Sequence, residues 1–307
     1  MNETARMLSL LNETFPDLAS MTPEEARRAA DARVRPAANI DDVDRTEDVS
    51  VAAGDHSITA RVYHPHSPRP DAPVTVFAHG GGFLHGSIAS HDGFCRLWSK
   101  STDTVVISVE YRVATEAMPP AARDDVLTVV DWALENGLAR HGVLLAGDSA
   151  GANLVAGAAL VLRDREHAPI IGQVLLYPFL DPSMSTQSHR TRAEGCFVTG
   201  RLLSFYWHCY LGDGSASAED VTPLSARSLA GLPPTIIVTA GLDPLCDEGA
   251  DYARLLRSAG VDVLLRHHPD QFHGFLTIPG YAPAGSAADM LWADMRTMFP
   301  ALMKETR

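Results

Sequence analysis

The sequence lacks the cysteine pattern of exported, disulfide-bonded proteins. Its 307 residues include four cysteines, Cys95, Cys196, Cys209 and Cys246, which lie far apart and form no C-x-x-C pair. We therefore expect free thiols in a reducing cytoplasm, although the spacing leaves a single bridge between two of them open.

Long apolar runs and a basic excess are also missing. No stretch reaches the roughly 18 apolar residues that a transmembrane helix needs. The opening residues 1–6 lack a basic region followed by an apolar one, so a secretory signal is not expected. Acidic residues outnumber basic ones by 38 to 25, and the net charge of −13 argues against nucleic acids and anionic membranes as partners.

Segments with the patterns of strands and helices alternate through most of the chain. Residues 47–53 and 56–63 flank a Gly54-Asp55 turn and predict a hairpin. The later strands are predicted at 73–78, 103–111, 142–146, 170–179, 235–240 and 261–266, and the helices at 90–101, 121–136, 152–162, 246–258 and 287–299. This order predicts an α/β fold: one domain over residues 1–307, with a mostly parallel sheet of about eight strands and helices on both faces. Ligands bind such sheets at the carboxyl ends of the strands.

Two segments fall outside this alternation. Residues 1–42 contain two short helices, the second opening with a capping box at Thr22-Pro23-Glu24-Glu25. Residues 183–224 form a long, aromatic and partly helical insertion, and insertions at this edge of a sheet are usually lids or binding loops. We predict that the two segments form a cap over a core of residues 46–182 and 225–307.

The stretch Gly147-Asp148-Ser149-Ala150-Gly151 lies between a predicted strand and a predicted helix. This is the setting of a G-x-S-x-G nucleophile elbow, in which a strained turn exposes the serine hydroxyl. The two glycines allow strand and helix to approach without clashing Cβ atoms. Ser149 is therefore the candidate nucleophile.

The run His79-Gly80-Gly81-Gly82-Phe83 directly follows another predicted strand. Backbone N–H groups of such a run can stabilise the oxyanion of a tetrahedral intermediate. A flexible loop or a phosphate cradle is the alternative, but the run lacks the lysine of a P-loop and the G-x-G-x-x-G spacing. We assign Gly81, Gly82 and Ala150 as oxyanion-hole donors. His79 is expected to brace the loop rather than to take protons. A metal role is not expected for it, because no second ligand has the right spacing.

An acid and a histidine should follow the serine in that order. Asp243 stands just after the predicted strand 235–240, where a carboxylate can reach a histidine of the next loop. Asp247 and Asp251 are alternatives, but both fall in the following helix, where acidic residues usually cap or face solvent.

His273 is the preferred base, because it follows the last predicted strand. His267 and His268 are the alternatives, and we expect one of them to face the core and the other the solvent. In the resulting scheme His273 deprotonates Ser149, which attacks an ester carbonyl, while Asp243 fixes the imidazole tautomer.

Six motifs carry a resemblance to a known family: His79-Gly80-Gly81-Gly82, Tyr111-Arg112-Val113-Ala114, Gly147-Asp148-Ser149-Ala150-Gly151, Leu175-Leu176-Tyr177-Pro178, Asp243-Pro244-Leu245-Cys246-Asp247-Glu248-Gly249 and His273-Gly274-Phe275. On these motifs the chain resembles the bacterial hormone-sensitive-lipase-like (family IV) carboxylesterases of the α/β-hydrolase fold. The resemblance covers nearly all of residues 73–275. It implies Ser149, Asp243 and His273 as a triad, no cofactor, a cap, short- to medium-chain acyl esters as substrates, and often a homodimer.

The chain departs from the family at Thr115, where a proline is usual, at Cys246, where an arginine is usual, and at residues 270–272, where a glycine-containing turn is more common. These departures concern loop conformation and substrate range. Two other functions stay open: hydrolysis of small amides by the same triad, and a ligand receptor that has lost catalysis. The receptor would require a missing triad residue, and all three are present.

Overall fold

A mixed sheet forms the centre of the computed structural model, which describes residues 2–165, 169–212, 214–299 and 302. The predicted cap ranges therefore include two residues, Met1 and Asp213, outside the described residues. Within the described residues the sheet has eight strands in the order β1-β2-β4-β3-β5-β6-β7-β8. The strands are β1 (Arg45–Ala53), β2 (His56–His64), β3 (Val74–Ala78), β4 (Val106–Glu110), β5 (Val143–Asp148), β6 (Ile170–Leu176), β7 (Thr235–Leu242) and β8 (Val263–Phe272).

The register of the sheet brings the predicted site motifs to one edge. Strand β2 is antiparallel to β1 and β4, and the other pairs are parallel. Ala78, the last residue of β3, pairs with Gly147 of β5, so the glycine run and the predicted elbow leave the sheet side by side. Further along the same edge, Leu242 of β7 pairs with Phe272 of β8, which brings the next residues, Asp243 and His273, together.

Helices cover both faces of the sheet. The helices on these faces are α3 (Ile88–Thr102), α4 (Ala121–Glu135), α5 (Ala150–Arg163), α9 (Cys246–Ser258) and α10 (Ala282–Met298). The segments predicted to form a cap contain α1 (Glu3–Thr14), α2 (Pro23–Asp31), α6 (Gln187–Thr191), α7 (Gly200–Leu211) and α8 (Ala218–Val221). Alternate residues of the central strands enter two apolar clusters. One cluster holds Val76 with residues of α4, α5 and α9, and the other holds Phe77 with residues of α3 and α10. The α/β fold predicted from the sequence is confirmed.

Local predictions were confirmed for most elements, including the capping box of α2, in which Thr22 and Glu25 bond each other's backbone N–H groups. The predicted end of the last strand was wrong, because β8 continues to Phe272 and contains residues 270–272. Since β8 lies at the sheet edge, its second half includes the exposed residues Pro269 and Asp270 and lacks the apolar pattern of a buried strand. Helix α10 begins five residues before the predicted start, with Pro283 in its first turn.

The four cysteines are unpaired in the structure. Within the part of the chain that the structure describes, no helix combines the length and apolar character required to cross a bilayer.

Gly151 allows α5 to approach β3 closely, because a Cβ atom there would overlap the carbonyl oxygen of Ala78. We expect Gly151→Ala to lower the free energy of unfolding by about 1–3 kcal/mol or more, as overpacking of a core does. Gly285→Ala is the matched control, since its Cβ in helix α10 would meet no atom within 4 Å. The control should be neutral or stabilising by up to ~1 kcal/mol. Urea unfolding measures both, and equal stability of the two variants would contradict the predicted close approach.

Candidate active site

Ser149 occupies the turn between β5 and α5 with an unusual backbone conformation. Its φ of 54° and ψ of −118° lie in a region that non-glycine residues rarely adopt. Its N–H donates to the carbonyl of Leu176 on the neighbouring strand at 2.8 Å. The strained turn that the sequence predicts for a nucleophile elbow is therefore present.

The structure brings the three predicted triad residues together. The Ser149 hydroxyl donates to Nε2 of His273 at 2.8 Å, and Nδ1–H of His273 donates to Oδ2 of Asp243 at 2.8 Å. The other oxygen of Asp243 accepts the N–H of Leu245 at 2.9 Å, so this fully buried carboxylate is held on both sides. Their catalytic roles stay a prediction that this geometry supports.

The environment of His273 favours its protonated form. Burial by itself would lower the pKa of His273, but the negative charge of Asp243 and its hydrogen bond outweigh burial and raise it. A base of this kind can take the proton of Ser149 and hold it as an imidazolium beside a buried carboxylate.

The predicted oxyanion donors lie beside Ser149. Gly81 and Gly82 have φ values of 132° and 61°, so both occupy the region that favours glycine. Across the described chain, the N–H groups of Gly81, Gly82 and Ala150 have no acceptor. Unpaired donors beside a nucleophile are the arrangement that an oxyanion hole requires.

Asp148, the residue before Ser149, has a structural role that was not predicted from the sequence. Its buried carboxylate accepts the N–H of Gly80 at 2.7 Å and Nε2–H of His91 at 3.1 Å. Burial would raise the pKa of Asp148, but the charge of His91 and these hydrogen bonds lower it. Asp148 therefore ties the elbow to the start of the glycine run. An acidic residue at this point of the G-x-S-x-G motif was the available signal, because a buried carboxylate needs partners.

The contacts of His79 are consistent with its predicted role of bracing the glycine loop. Its ring stacks on Tyr111 with centroids 4.2 Å apart, and the hydroxyl of Tyr111 donates to the His79 carbonyl at 2.7 Å. Burial, with a contribution from the charge of His91, lowers the pKa of His79 to about 3. A neutral, enclosed imidazole is consistent with the predicted bracing and not with proton transfer.

The rejected acids have other partners. Asp247 accepts the N–H of Ser188 at 2.8 Å and so anchors helix α6, and Asp251 is exposed beside Arg254. The rejected histidines lie on β8, His267 exposed and His268 buried, as expected.

A second buried pair, Glu248 and His189, lies near the triad and was also missed. Nε2–H of His189 donates to Glu248 at 3.0 Å, and the N–H groups of Leu180 and Asp181 each donate to the same carboxylate at 2.5 Å. Burial raises the pKa of Glu248 to about 7 despite these bonds. The pair joins helix α9 to the beginning of the insertion.

An apolar cavity of about 340 Å³ opens above Ser149. Both segments outside the strand–helix alternation line it, the amino-terminal one with residues such as Phe15 and Val34, and the insertion with residues such as Phe197 and Leu202. The ring centroids of Phe15 and Phe197 are 5.1 Å apart in an edge-to-face contact. Asn12 also joins the segments. Its side-chain N–H donates to the Gly195 carbonyl, and its side-chain oxygen accepts the N–H of Phe197, both at 3.0 Å.

Comparison with known proteins gives a consistent set of relatives. A family model described as "alpha/beta hydrolase fold" matches residues 75–277. Carboxylic ester hydrolase LipN of Mycobacterium tuberculosis is 38% identical over 243 residues, which are 75% of this chain and 64% of LipN. The chain thus spans less than two thirds of the length of that relative.

Two further proteins match over nearly their full length. Carboxylesterase NlhH of Mycobacterium tuberculosis is 33% identical over 295 residues, 92% of each chain. The solved structure of ester-hydrolase EH1AB1 from the metagenome of Lake Arreo, in complex with a bipyridine phosphonate derivative, superposes with a TM-score of 0.88 at 29% identity, covering 98% of this chain and 99% of the other.

The positions of Asp243 and Asp247 predict unequal effects of the same substitution. Asp243→Asn should lower kcat for p-nitrophenyl butyrate by about 10⁴, because the amide no longer stabilises the productive tautomer and the cation of His273. Asp247→Asn removes a charge from the anchor of α6 and should change kcat by no more than about tenfold. Steady-state kinetics of both purified variants measure this, and the reverse ranking would exchange the roles of the two acids.

Proposed function

Because the chain belongs to the α/β-hydrolase fold family, with the motifs of its hormone-sensitive-lipase-like branch, we propose that it is a serine carboxylesterase. The observation that carries this proposal is the continuous hydrogen-bonded series Asp243–His273–Ser149 at the base of an apolar cavity. The proposed substrates are small-molecule esters with short- to medium-chain acyl groups.

Acylation begins when Oγ of Ser149 attacks the carbonyl carbon of the ester and its proton passes to Nε2 of His273. The carbonyl electrons move to the oxygen, which accepts hydrogen bonds from the free N–H groups of Gly81, Gly82 and Ala150. Loss of one such donor costs on the order of 10²–10³ in rate. The intermediate then collapses, the bond to the alcohol oxygen breaks, and His273 gives that oxygen its proton.

Deacylation repeats these steps with water. His273 removes a proton from the water as it attacks the acyl carbon, the same N–H groups hold the second oxyanion, and the proton returns to Ser149 as the acid leaves. Asp243 keeps its charge throughout, so it stabilises the imidazolium at each step. No metal or cofactor takes part in this scheme.

We also propose that residues 1–42 and 183–224 act together as a cap that determines which acyl chains fit. Support comes from their shared contribution to the cavity wall and from the contacts that Asn12 and Phe15 make with the insertion. Four unpaired thiols are compatible with a cytoplasmic location. The family resemblance supports a homodimer.

Substitution of the nucleophile tests the function. Wild-type protein should hydrolyse p-nitrophenyl acetate and butyrate, with activity falling as the acyl chain outgrows a cavity of about 340 Å³. Ser149→Ala should reduce kcat by several orders of magnitude, roughly 10⁴ or more, while the fold is kept. Comparable turnover by this variant would remove Ser149 from the mechanism. A p-nitroanilide measured beside the esters separates an esterase from an amide hydrolase, and ligand binding without turnover of any ester would favour a receptor.

The pH dependence should report the ionisation of His273. Since the neutral imidazole is the base, kcat/KM should rise with pH and level off once His273 has lost its proton. Asp243 raises the pKa of His273, so the midpoint should lie above the roughly 6.5 of an unperturbed histidine. In Asp243→Asn the midpoint of the residual kcat/KM profile should move to lower pH, because the charge that raises the pKa of His273 is gone. A flat profile of the wild-type protein between about pH 5 and 8 would contradict a histidine base.

A further inference from the structure

Helix α7 of the insertion lies directly against the glycine run. The ring of Tyr206 covers Gly82 so closely that a Cβ atom on Gly82 would overlap it. The hydroxyl of Tyr206 lies 2.7 Å from Nε2 of His85. Tyr206 is buried and also lines the cavity above Ser149. This contact joins the insertion to the loop that carries two of the proposed oxyanion donors.

We propose that Tyr206 is a positioning residue, which holds the Gly81–Gly82 peptide in the orientation that the oxyanion hole needs by fixing His85. This inference rests on the proposed esterase function. It assigns a role in turnover to a side chain of the insertion, which otherwise forms part of the cavity wall.

The connection from His85 to the oxyanion hole runs through one rigid unit. The carbonyl oxygen of Gly81 accepts the N–H groups of Leu84 and His85, both at 3.1 Å. That carbonyl and the N–H of Gly82 belong to the same planar trans peptide, so they point in opposite directions. The hydrogen bond from the His85 N–H fixes the direction of the Gly81 carbonyl, and it thereby fixes the Gly82 N–H in the opposite direction. A shift of His85 would therefore rotate an oxyanion donor.

The protonation states suit a fixed bond between the two side chains. Burial lowers the pKa of His85 to about 4, with a contribution from the charge of His91, so the imidazole is neutral. Burial raises the pKa of Tyr206, so the phenol keeps its proton. Tyr206 therefore donates and Nε2 of His85 accepts, and neither group titrates near neutral pH.

The other end of the glycine run is held independently, by the bond from the Gly80 N–H to Asp148 at 2.7 Å. Between the two fixed ends lie Gly81 and Gly82, whose backbone has the most conformational freedom of any residue type. Hydrogen bonds at both ends restrict the conformations that these two glycines can adopt. Asp148 of strand β5 binds the residue before the two glycines, and Tyr206 of the insertion binds His85 after them.

Tyr206→Phe tests the proposal because it deletes only the phenolic oxygen and keeps the ring on Gly82. We expect kcat for p-nitrophenyl butyrate to fall about tenfold, less than the roughly 10² for a lost oxyanion donor, with KM changed by less than about twofold. Affinity for butylboronic acid, whose tetrahedral adduct with Ser149 occupies the oxyanion hole, should fall in proportion to kcat/KM.

Tyr252→Phe is the matched control. Tyr252 is a buried tyrosine of helix α9 whose hydroxyl has no hydrogen-bond partner in the described parts of the chain. The control should keep the wild-type kcat and boronate affinity. His85→Phe should reproduce the loss seen in Tyr206→Phe, and the double variant should lose no more than either single one, because both substitutions break the same bond.

The outcomes separate this inference from the proposed function. If the wild-type protein hydrolyses esters and Tyr206→Phe matches Tyr252→Phe in kcat and boronate affinity, the positioning role is wrong and the esterase stands. A variant with a lower melting temperature but unchanged kcat and boronate affinity would likewise overturn it, since that is a packing effect alone. A wild-type protein that turns over no ester would overturn the proposed function and this inference with it.

Discussion

The backbone of Ser149 is the constraint on which the rest of the site depends. A non-glycine residue at a φ of 54° and ψ of −118° costs on the order of 1–3 kcal/mol, so its surroundings must hold it there. The N–H of Ser149 is bound to the next strand through Leu176, and its carbonyl accepts the N–H of Phe179 at 3.1 Å. Asn153 adds a bond from its amide to the carbonyl of Phe179 at 2.9 Å. Strain at Ser149 is thus balanced by bonds to the end of β6 and the loop after it.

Buried carboxylates paired with histidines recur around this turn. Three such pairs surround the site within the described chain: Asp148 with His91, Asp243 with His273, and Glu248 with His189. Each carboxylate also accepts at least one backbone N–H of a loop at the carboxyl edge of the sheet. A buried charge is tolerated only when it is paired and hydrogen-bonded, so each pair fixes the loop that satisfies it. One of the three pairs takes part in the proposed chemistry, and the other two hold its surroundings.

The sequence was sufficient to predict the features that depend on local pattern. The elbow, the glycine run and the order serine, acid, histidine could be predicted because few other structures require these residue types at these positions. Gly151 is an example, since a Cβ atom there would overlap the carbonyl oxygen of Ala78. The alternation of strands and helices predicted the sheet, whereas a cap formed by the long aromatic insertion stays a prediction. The end of β8 was misplaced, because an edge strand exposes polar residues and gives no apolar pattern.

What the sequence could not show are contacts between residues far apart in the chain. His91 and Asp148, or His189 and Glu248, carry no spacing that marks them as partners, and only the fold brings them together. The bond between Tyr206 and His85 is of the same kind, since one residue follows β3 and the other lies 121 positions later. Such pairs depend on tertiary packing, which local pattern does not encode.

The bond between Tyr206 of helix α7 and His85, which follows the glycine run, has a consequence for protein engineering. Phe15 and Phe197 line the cavity but take no part in that bond, so libraries at these positions can alter the proposed acyl-chain selectivity while the bond is kept. Grafting a whole insertion from a relative would exchange Tyr206 as well. A chimera of that kind inherits the donor's pocket but needs a tyrosine and histidine that match across the new junction.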